Sequence, residues 1–388
     1  MNTAETAAIA DVSSHRPDDV VEIARALAPR FADRAAAVDE GDTFVAENLA
    51  LLKEAGLLEA GVPVELGGRG ADVATLCDML RVLAGACGST ALAFAMHTHQ
   101  VAIPAWRWRH QGVAAVEPLL RRVAAERLML LSSGGSDWIG GSGRAVKVEN
   151  GWRIDARKVF TSGSPAGDLL MTGAVAEGED GRGTVIHFAA PMKSPAVRVE
   201  DTWKAHGMRG TGSNDVVIDG LFVPDTAVSV TREAGRWHPL FHVIATVALP
   251  LIYAVYLGVA ESARDLAVDL ARRKPVGEDA LQLAGRMDTT LRATRLAHRH
   301  MVEVAGRGVA SAESVNEVMI GRTLVGADAI RTVELAMELA GGAAFYRRNG
   351  LERRMRDVQG ARFHPLQAGP QARFAGAVAL GQPTAEIF

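Results

Sequence analysis

The middle of the chain combines short β-type runs with Gly-rich turns, and three of its stretches decide the fold. They read LMLLSSGGSDW at 128–138, GWRIDARKVFTSG at 151–163 and WKAHGMRGTGS at 203–213. β-branched and alternating residues bounded by Gly and Ser are typical of strands joined by turns. The region therefore predicts a compact β-domain, and the loops of such a domain are where ligand contacts are usually placed.

On both sides of this region, apolar residues recur every three to four positions, which predicts helices. An N-terminal helical domain is expected at 20–125 and a C-terminal helical bundle at 236–388. The bundle contains four long amphipathic segments, at 240–272, 279–306, 314–339 and 351–380. Their short connections favour an antiparallel four-helix bundle. The predicted fold is α+β and mainly α, with a β-barrel-like domain at 126–235 between the two helical blocks.

Length and composition describe an enzyme-sized chain without a strong charge. The 388 residues are 48% hydrophobic, and the formal net charge is -3. No global field is therefore expected to attract nucleic acid or an acidic membrane surface. Cys77 and Cys87 are too few for a disulfide framework and lack metal-ligand spacing. We therefore expect a cytoplasmic protein without a metal site.

Two segments bear on targeting and membrane insertion. Residues 1–19 are polar and lack the apolar core of a signal peptide, so a flexible tail is expected there. Residues 243–260 carry no formal charge and reach the lower length limit of a membrane span. Pro250 in their middle and the absence of flanking Lys/Arg clusters favour a buried core or interface helix, and no membrane association is expected.

Histidines are the candidate acid–base groups of the helical blocks. His97 and His99 lie on an almost uncharged helix, where imidazoles are most often bonded within the core, although His97 remains a candidate functional residue. His298 and His300 share a helix with Glu303. Their spacing of two residues turns the two side chains apart, which favours a solvated face.

Motifs of other enzyme classes are absent from the sequence. It contains no nucleophile elbow, no P-loop and no His-Glu-x-x-His. The run GSG at 141–143 lacks the third glycine and the βαβ context of a dinucleotide fingerprint. A Rossmann-type nicotinamide site is therefore disfavoured.

The order of helical block, β-domain and helical bundle resembles the acyl-CoA dehydrogenase superfamily, and several motifs agree with it. GGSD at 134–137 is similar to the end of that family's first flavin loop, and KVFTSG at 158–163 to its second. GMRGTGS at 207–213, followed by LFVP at 221–224, is similar to the strand that leaves its β-domain. Two C-terminal signatures of the family resemble Gly341-Gly342 and Arg356-Asp357. The resemblance covers nearly the whole chain from Val20.

This resemblance implies a flavin between the β-domain and the bundle of a homotetramer or homodimer. The flavin is FAD or FMN. Ser132 and Ser162 are placed near its isoalloxazine ring, with Phe160 stacked beside the ring. The other implied cofactor contacts are Ser133, Ser136, Thr161, Arg209, Arg272, Gly341 and Gly342. A flavin carries its own redox chemistry, so the protein supplies donors and an apolar wall. For the two serines, ordinary turn chemistry is the alternative.

One departure from the family concerns the catalytic base. Desaturating an acyl thioester requires a carboxylate that removes the α-proton, and the family supplies it from the C-terminal segment or the first bundle helix. This sequence has no Asp or Glu at 358–385 or at 234–260. His364 stands near the first position instead. This arrangement resembles the flavin-dependent monooxygenase branch of the superfamily, in which a histidine and a serine of the second flavin loop face the ring.

The implied catalytic residues are His364 and Ser162, with His97 as a third candidate. An imidazole that titrates near neutrality would donate a hydrogen bond beside the flavin or deprotonate a phenol-like substrate. Oxygen chemistry at a flavin also needs a dry pocket. The alternative for His364 is a structural histidine before Pro365.

A second departure concerns the dinucleotide end of the flavin. The family's Gln-x-x-Gly-Gly element is ELAGG at 338–342 here, which brings an anionic side chain towards a pyrophosphate. The family's Arg-x-x-Phe-Gly element has become RRKPVG at 272–277. The resemblance therefore favours weaker flavin binding, with reduced FMN or FADH2 supplied by a separate flavin reductase. Surface charges at a helix end are the alternative.

The favoured hypothesis is a reduced-flavin monooxygenase that acts on a small organic substrate. Two alternatives remain open. One is an FAD-dependent acyl-CoA dehydrogenase whose base comes from another residue. The other is a non-catalytic scaffold that binds flavin or acyl groups.

Overall fold

The computed structural model describes residues 19–178, 183–384 and 387, in which the elements follow the order helices, sheet, helices. The N-terminal α-helices are α1 (Asp19–Glu40), α2 (Ala46–Glu54), α3 (Val73–Ala86), α4 (Gly88–Gln111) and α5 (Glu117–Glu126). Helix α3 begins after Asp72, whose side chain accepts a hydrogen bond from the backbone N–H of Thr75. The tail expected at 1–19 lies outside the described residues, apart from Asp19 at the start of α1.

The middle of the chain folds into one mixed sheet. Its strands are β1 (Leu130–Ser132), β2 (Arg144–Val148), β3 (Gly151–Thr161), β4 (Leu169–Glu177), β5 (Gly183–Pro191), β6 (Val197–Glu200), β7 (Asn214–Pro224) and β8 (Val230–Glu233). They lie in the order β6-β7-β3-β2-β4-β5-β8, and β1 pairs in parallel with β4. Strands β6 and β8 are the edges of the described sheet and do not pair with each other, so it is open. The expected barrel-like closure is therefore wrong, because residues alternate in the same way in an open sheet and in a barrel.

The C-terminal part contains α6 (Leu240–Ala271), α7 (Glu278–Gly306), α8 (Ala312–Ala340), α9 (Leu351–Val358) and α10 (Ala368–Ala379). The first three agree with the predicted bundle segments. The fourth segment, expected as one helix at 351–380, is broken between α9 and α10. Gly360 lies in the break, where an added Cβ would be 2.7 Å from the Tyr256 hydroxyl. Pro365 follows, and its ring and missing N–H interrupt a helix.

Helix α6 is the centre of the core. It packs against α3, α4, α7 and α8. Within the described residues, α6 is the helix whose length and apolar composition would allow it to cross a membrane. However, 94% of its most apolar window is buried inside the protein. This burial agrees with the core helix expected at 243–260. The side chains of Tyr253 and Tyr256 on this helix are fully buried.

Two buried histidines, His97 and His298, connect elements of the fold by hydrogen bonds to backbone groups. The backbone N–H of Leu130 donates to His97 Nδ1 over 3.0 Å, so Nε2 carries the proton that it donates to the Leu58 carbonyl over 2.8 Å. His298 Nε2 lies 2.9 Å from the Pro250 carbonyl and therefore also donates. The solvated face expected for His298 is wrong, because its side of α7 packs on α6. Its neighbour His300 is exposed.

Burial makes the stability of the protein sensitive to acid. Burial lowers the pKa of His298 from 6.5 to about 4. Between these pH values the unfolded chain binds a proton at residue 298 that the folded protein does not bind. The contribution of His298 to stability is therefore present above pH 6.5 and is lost as the pH falls, at about 1.4 kcal/mol per pH unit.

We expect His298→Gln to weaken the dependence of stability on pH. The glutamine amide donates to the Pro250 carbonyl but binds no proton. On going from pH 7 to pH 5, the variant should lose about 2 kcal/mol less unfolding free energy than the parent protein. Urea unfolding followed by circular dichroism at both pH values measures this difference, with the exposed His206→Gln as control. An equal loss in the parent and His298→Gln would contradict the assignment.

Candidate active site

A cavity of about 1430 Å³ lies where the N-terminal helices, the sheet and the C-terminal helices meet. Its wall is formed by α4, α6, the loops that follow β1 and β3, the loop at 203–208 and the break between α9 and α10. Ligand pockets usually measure roughly 300–1,000 Å³. The cavity therefore has room for a flat cofactor ring and a small second molecule.

The loop after β1 is held in place by the buried ammonium group of Lys158. This Nζ lies 3.0 Å from the Asp137 carboxylate and donates to the carbonyls of Ser142 and Gly173 over 2.8 and 2.6 Å. Burial lowers the pKa of Lys158, whereas Asp137 raises it. Asp137 is the only carboxylate among the described lining residues, and it is committed to this ion pair.

Arg232 is a second buried cation behind the same loop. Its guanidinium donates to the carbonyls of Trp138 and Ile139 over 2.7 and 2.6 Å and lies 4.8 Å from the Phe241 ring centroid. Its Nε donates to His187 Nε2 over 3.1 Å. Burial and then Arg232 lower the pKa of His187 to about 4. His187 is therefore a neutral hydrogen-bond acceptor at neutral pH.

The loop after β3 presents Phe160 and Ser162 to the cavity. Phe160 has a φ of 53°, next to a register shift between β3 and β7, and this left-handed conformation is strained for a bulky residue. Its exposed ring stands edge-on to Trp203, with ring centroids 5.7 Å apart. Ser162 Oγ lies 2.8 Å from Ser213 Oγ. Thr161 is turned into the core, because its hydroxyl donates to the Lys158 carbonyl.

His364 lies in the break between α9 and α10, where its ring lines the cavity. Its Nε2 is 2.6 Å from the hydroxyl of Tyr256, whose pKa burial raises well above 10. The described residues offer this buried hydroxyl no other acceptor, so Tyr256 donates to Nε2 and His364 carries its proton on Nδ1. Arg322 donates to the His364 carbonyl over 2.8 Å.

The pKa of His364 is lower than the value near neutrality that was expected from the sequence. Burial, and then Arg322 and His99, lower the pKa of His364 to about 3. The ring is therefore a neutral N–H donor across the physiological range. Pro365 brings this segment against the loop after β1, since a Cβ on Gly135 would lie 2.6 Å from the Pro365 ring.

One face of α4 forms the opposite wall of the cavity. It carries lining residues at the spacing of helical turns, namely Leu92, Met96, His99, Gln100, Ile103, Pro104 and Arg107. His99 Nδ1 donates to the Ala95 carbonyl over 3.0 Å, so its Nε2 is an acceptor. Burial lowers the pKa of His99 to about 4. His97 is on the other face, outside the cavity, with both nitrogens bonded to backbone groups.

The predicted flavin contacts fall into two groups. Ser132, Ser133, Phe160 and Ser162 line the cavity together. Thr161, Arg209, Arg272, Gly341 and Gly342 do not. Arg209 lies 3.5 Å from the Asp42 carboxylate, whereas Arg272, Gly341 and Gly342 are exposed. The side chain of Ser136 lies outside the described residues. Contacts of either group with a flavin stay predictions.

Sequence reasoning missed three groups of the site. His99 was assigned to the core with His97, although the helical period from Leu92 and Met96 indicates which of the two faces the cavity. Tyr256 and Lys158 act through partners far away in the sequence, which no local pattern shows. Within the described residues, no group of three or more metal-binding side chains is found.

The arrangement fits a flavin ring. Serine hydroxyls supply hydrogen-bonding groups on one side, and Phe160 and Trp203 supply aromatic surface. The neutral His364 N–H completes the wall. A cavity of this kind, between helical domain, sheet and bundle, defines a flavin-dependent oxidoreductase.

Comparison with known proteins identifies the family. Residues 18–110 match the model "Acyl-CoA dehydrogenase, N-terminal domain", and residues 251–367 match "Acyl-CoA dehydrogenase, C-terminal domain". The chain therefore belongs to the acyl-CoA dehydrogenase family, as its motifs indicated.

Its relatives include enzymes of different activities. The chain is 28% identical to the amino sugar nitrososynthase RubN8 of Streptomyces rubradiris, over 91% of this chain and 87% of the relative. It is 27% identical to the cyclohex-1-ene-1-carbonyl-CoA dehydrogenase of Geobacter metallireducens, over 87% and 91%. The structure of KijD3 with FMN and dTDP-3-amino-2,3,6-trideoxy-4-keto-3-methyl-D-glucose superposes with a TM-score of 0.85 and 27% identity, over 96% of each chain.

We expect Lys158→Met to destabilise the protein and weaken flavin binding. Removing the ammonium leaves the Asp137 carboxylate buried without its partner, which costs about 3–5 kcal/mol. The double variant Lys158→Met with Asp137→Leu should recover part of this loss. Urea unfolding and titration with FMN measure both effects. Lys147→Met, which breaks an exposed ion pair with Asp225, is the control and should change little. A Lys158→Met protein as stable as the parent would refute the role of Lys158.

Proposed function

We propose that this protein is a monooxygenase that uses reduced flavin and dioxygen to oxidise a small organic molecule. When bound, reduced flavin supplies two electrons to dioxygen, so that one oxygen atom goes to the substrate and the other leaves as water. The flavin is FMN or FAD, delivered by a separate flavin reductase, and the enzyme is a homotetramer or homodimer. The complex of KijD3 with FMN supports the choice of a flavin mononucleotide.

The observation that carries the proposal is the lack of a free carboxylate in the described cavity wall. Removing the α-proton of an acyl thioester requires a general base. Asp137 is held by Lys158, and His364 is too weak a base because its pKa is about 3. The described wall therefore offers donors and acceptors but no strong base, which favours oxygen transfer over desaturation.

The residues of the wall have distinct tasks in this reaction. The Nδ1–H of His364 donates a hydrogen bond to an oxygen atom held beside it, and Tyr256 fixes the tautomer that makes this donation available. Ser162 adds a hydroxyl from the second flavin loop. Leu249 and Ile252 of α6, also in the lining, exclude water from the same space.

The name of one relative also supports oxygen transfer as the reaction type. RubN8 is named as an amino sugar nitrososynthase, and a nitroso group carries an oxygen atom on nitrogen. The dehydrogenase relative is as similar in identity, so the names alone do not decide. The lack of a free carboxylate in the described wall supports the monooxygenase.

We expect the protein to slow the release of hydrogen peroxide when reduced FMN meets dioxygen. Stopped-flow absorbance and a peroxide assay should show release at least about tenfold slower than from free reduced FMN, because a dry pocket with a positioned donor retains the oxygen species. Tyr256→Phe should reverse most of this effect, since His364 then loses its fixed tautomer. Tyr253→Phe removes a buried hydroxyl that donates to the Ala361 carbonyl instead and serves as control.

Two outcomes of the flavin assays would contradict the proposal, and a third would replace it with a non-catalytic scaffold. One is peroxide release as fast as from free flavin and unchanged by His364→Ala. The other is anaerobic bleaching of bound FAD by octanoyl-CoA, which would identify an acyl-CoA dehydrogenase. A tetramer that binds no flavin would indicate a scaffold.

A further inference from the structure

Arg107 lies on the cavity wall without an anionic partner. Its side chain is in the lining near the C-terminal end of α4. Its Nε is buried and has no hydrogen-bond partner among the described residues. Burial lowers the pKa of Arg107, and no neighbouring charge contributes to the shift. A half-buried guanidinium with one buried, unpaired N–H is stabilised when a ligand supplies the missing acceptor and the opposite charge.

The other cations of the described lining are paired. Arg356 donates to the Asp39 carboxylate over 2.6 and 2.9 Å and also bonds to Glu352. Lys204 is exposed and lies 3.6 Å from the Asp201 carboxylate. Arg356 lies near the start of α4, because an added Cβ on Gly88 would lie 3.3 Å from the carboxylate of the adjacent Asp357. Arg107 lies near the opposite end of α4, roughly 28 Å of helix from Gly88.

The position of Arg107 relative to His99 sets the length of a ligand. His99, Ile103 and Arg107 are spaced by four residues each and so follow one face of α4. The backbone positions of His99 and Arg107 are roughly 12 Å apart along the helix axis. His99 is close enough to His364 to lower its pKa. The reacting end of the cavity therefore lies at these two histidines, and Arg107 lies towards the other end.

Apart from Gln100, the described lining residues of α4 between these two positions are apolar. These α4 residues are Ile103 and Pro104, and the cavity is also lined by the apolar Val113, Val116 and Leu119, which precede or belong to α5. No acidic side chain among the described lining residues lies in this part. A ligand that follows this wall would have an apolar body, with a negative group at one end and the oxidised atom at the other.

We propose that Arg107 binds the carboxylate of a substrate whose apolar body fills the cavity between Arg107 and His99. One planar guanidinium matches one carboxylate through two parallel hydrogen bonds. A nucleoside diphosphate would bring more negative charge than one arginine neutralises, and the other described cations of the lining, Arg356 and Lys204, are already paired with carboxylates. This inference rests on the proposed function, because it names the substrate class of the same site.

The test compares 2-naphthoate with its neutral isostere 2-naphthamide. Isothermal titration calorimetry on the full chain without flavin measures the dissociation constant of each. We expect naphthoate to bind at least about tenfold more tightly than naphthamide, as a charge-assisted pair with a half-buried guanidinium should. In Arg107→Met this preference should vanish, and in Arg107→Lys part of it should remain, because lysine keeps the charge but not the planar fork.

Arg109→Met is the matched control for the change in net charge. Arg109 is on the same helix, is exposed and donates to the Gly70 carbonyl outside the cavity. Its substitution should leave the naphthoate preference unchanged. The inference is overturned if wild type shows no preference or binds neither compound, if Arg107→Met keeps the preference, or if thymidine diphosphate binds more tightly than naphthoate. The titration contains no flavin, so its outcome is independent of the flavin reaction in the proposed function. Either test can fail while the other succeeds.

Discussion

The ion pair between Lys158 and Asp137 is the constraint on which the candidate site depends. Lys158 is buried on β3, yet it is bonded to the loop after β1 and to a carbonyl of β4. Opening this loop would leave two charges unpaired in a low-dielectric interior. The same bond commits the one carboxylate of the described cavity wall. One interaction therefore shapes the wall and also removes its only candidate carboxylate base.

Three histidines of the wall, His99, His187 and His364, are held neutral. Burial keeps the pKa values of His99 and His187 near 4, and the buried Arg322 helps to keep His364 uncharged. Each imidazole then has a defined role, since a backbone carbonyl, a guanidinium or the Tyr256 hydroxyl fixes which nitrogen carries the proton. Neutral donors in fixed positions suit a reaction in which an oxygen atom must be held in place. They are less suited to a reaction that begins with removal of a proton.

Much of the architecture could be predicted from the sequence, because helical periodicity and Gly-rich turns are local signals. The windows without Asp or Glu were also visible, and the cavity wall of the described residues agrees with them. The open sheet could not be predicted, since edge pairing depends on strands far apart in the chain. The break that carries His364 was missed, because the apolar pattern continues across Gly360 and Pro365.

The candidate site was predicted only in part. Ser132, Phe160, Ser162 and His364 come together as the family motifs implied. Their charge states depend on burial and on distant partners, which a sequence does not give. The most direct test is ¹⁵N NMR of the His364 imidazole between pH 5 and pH 8. The account predicts a neutral ring with its proton on Nδ1 throughout, and titration within this range or a proton on Nε2 would contradict it.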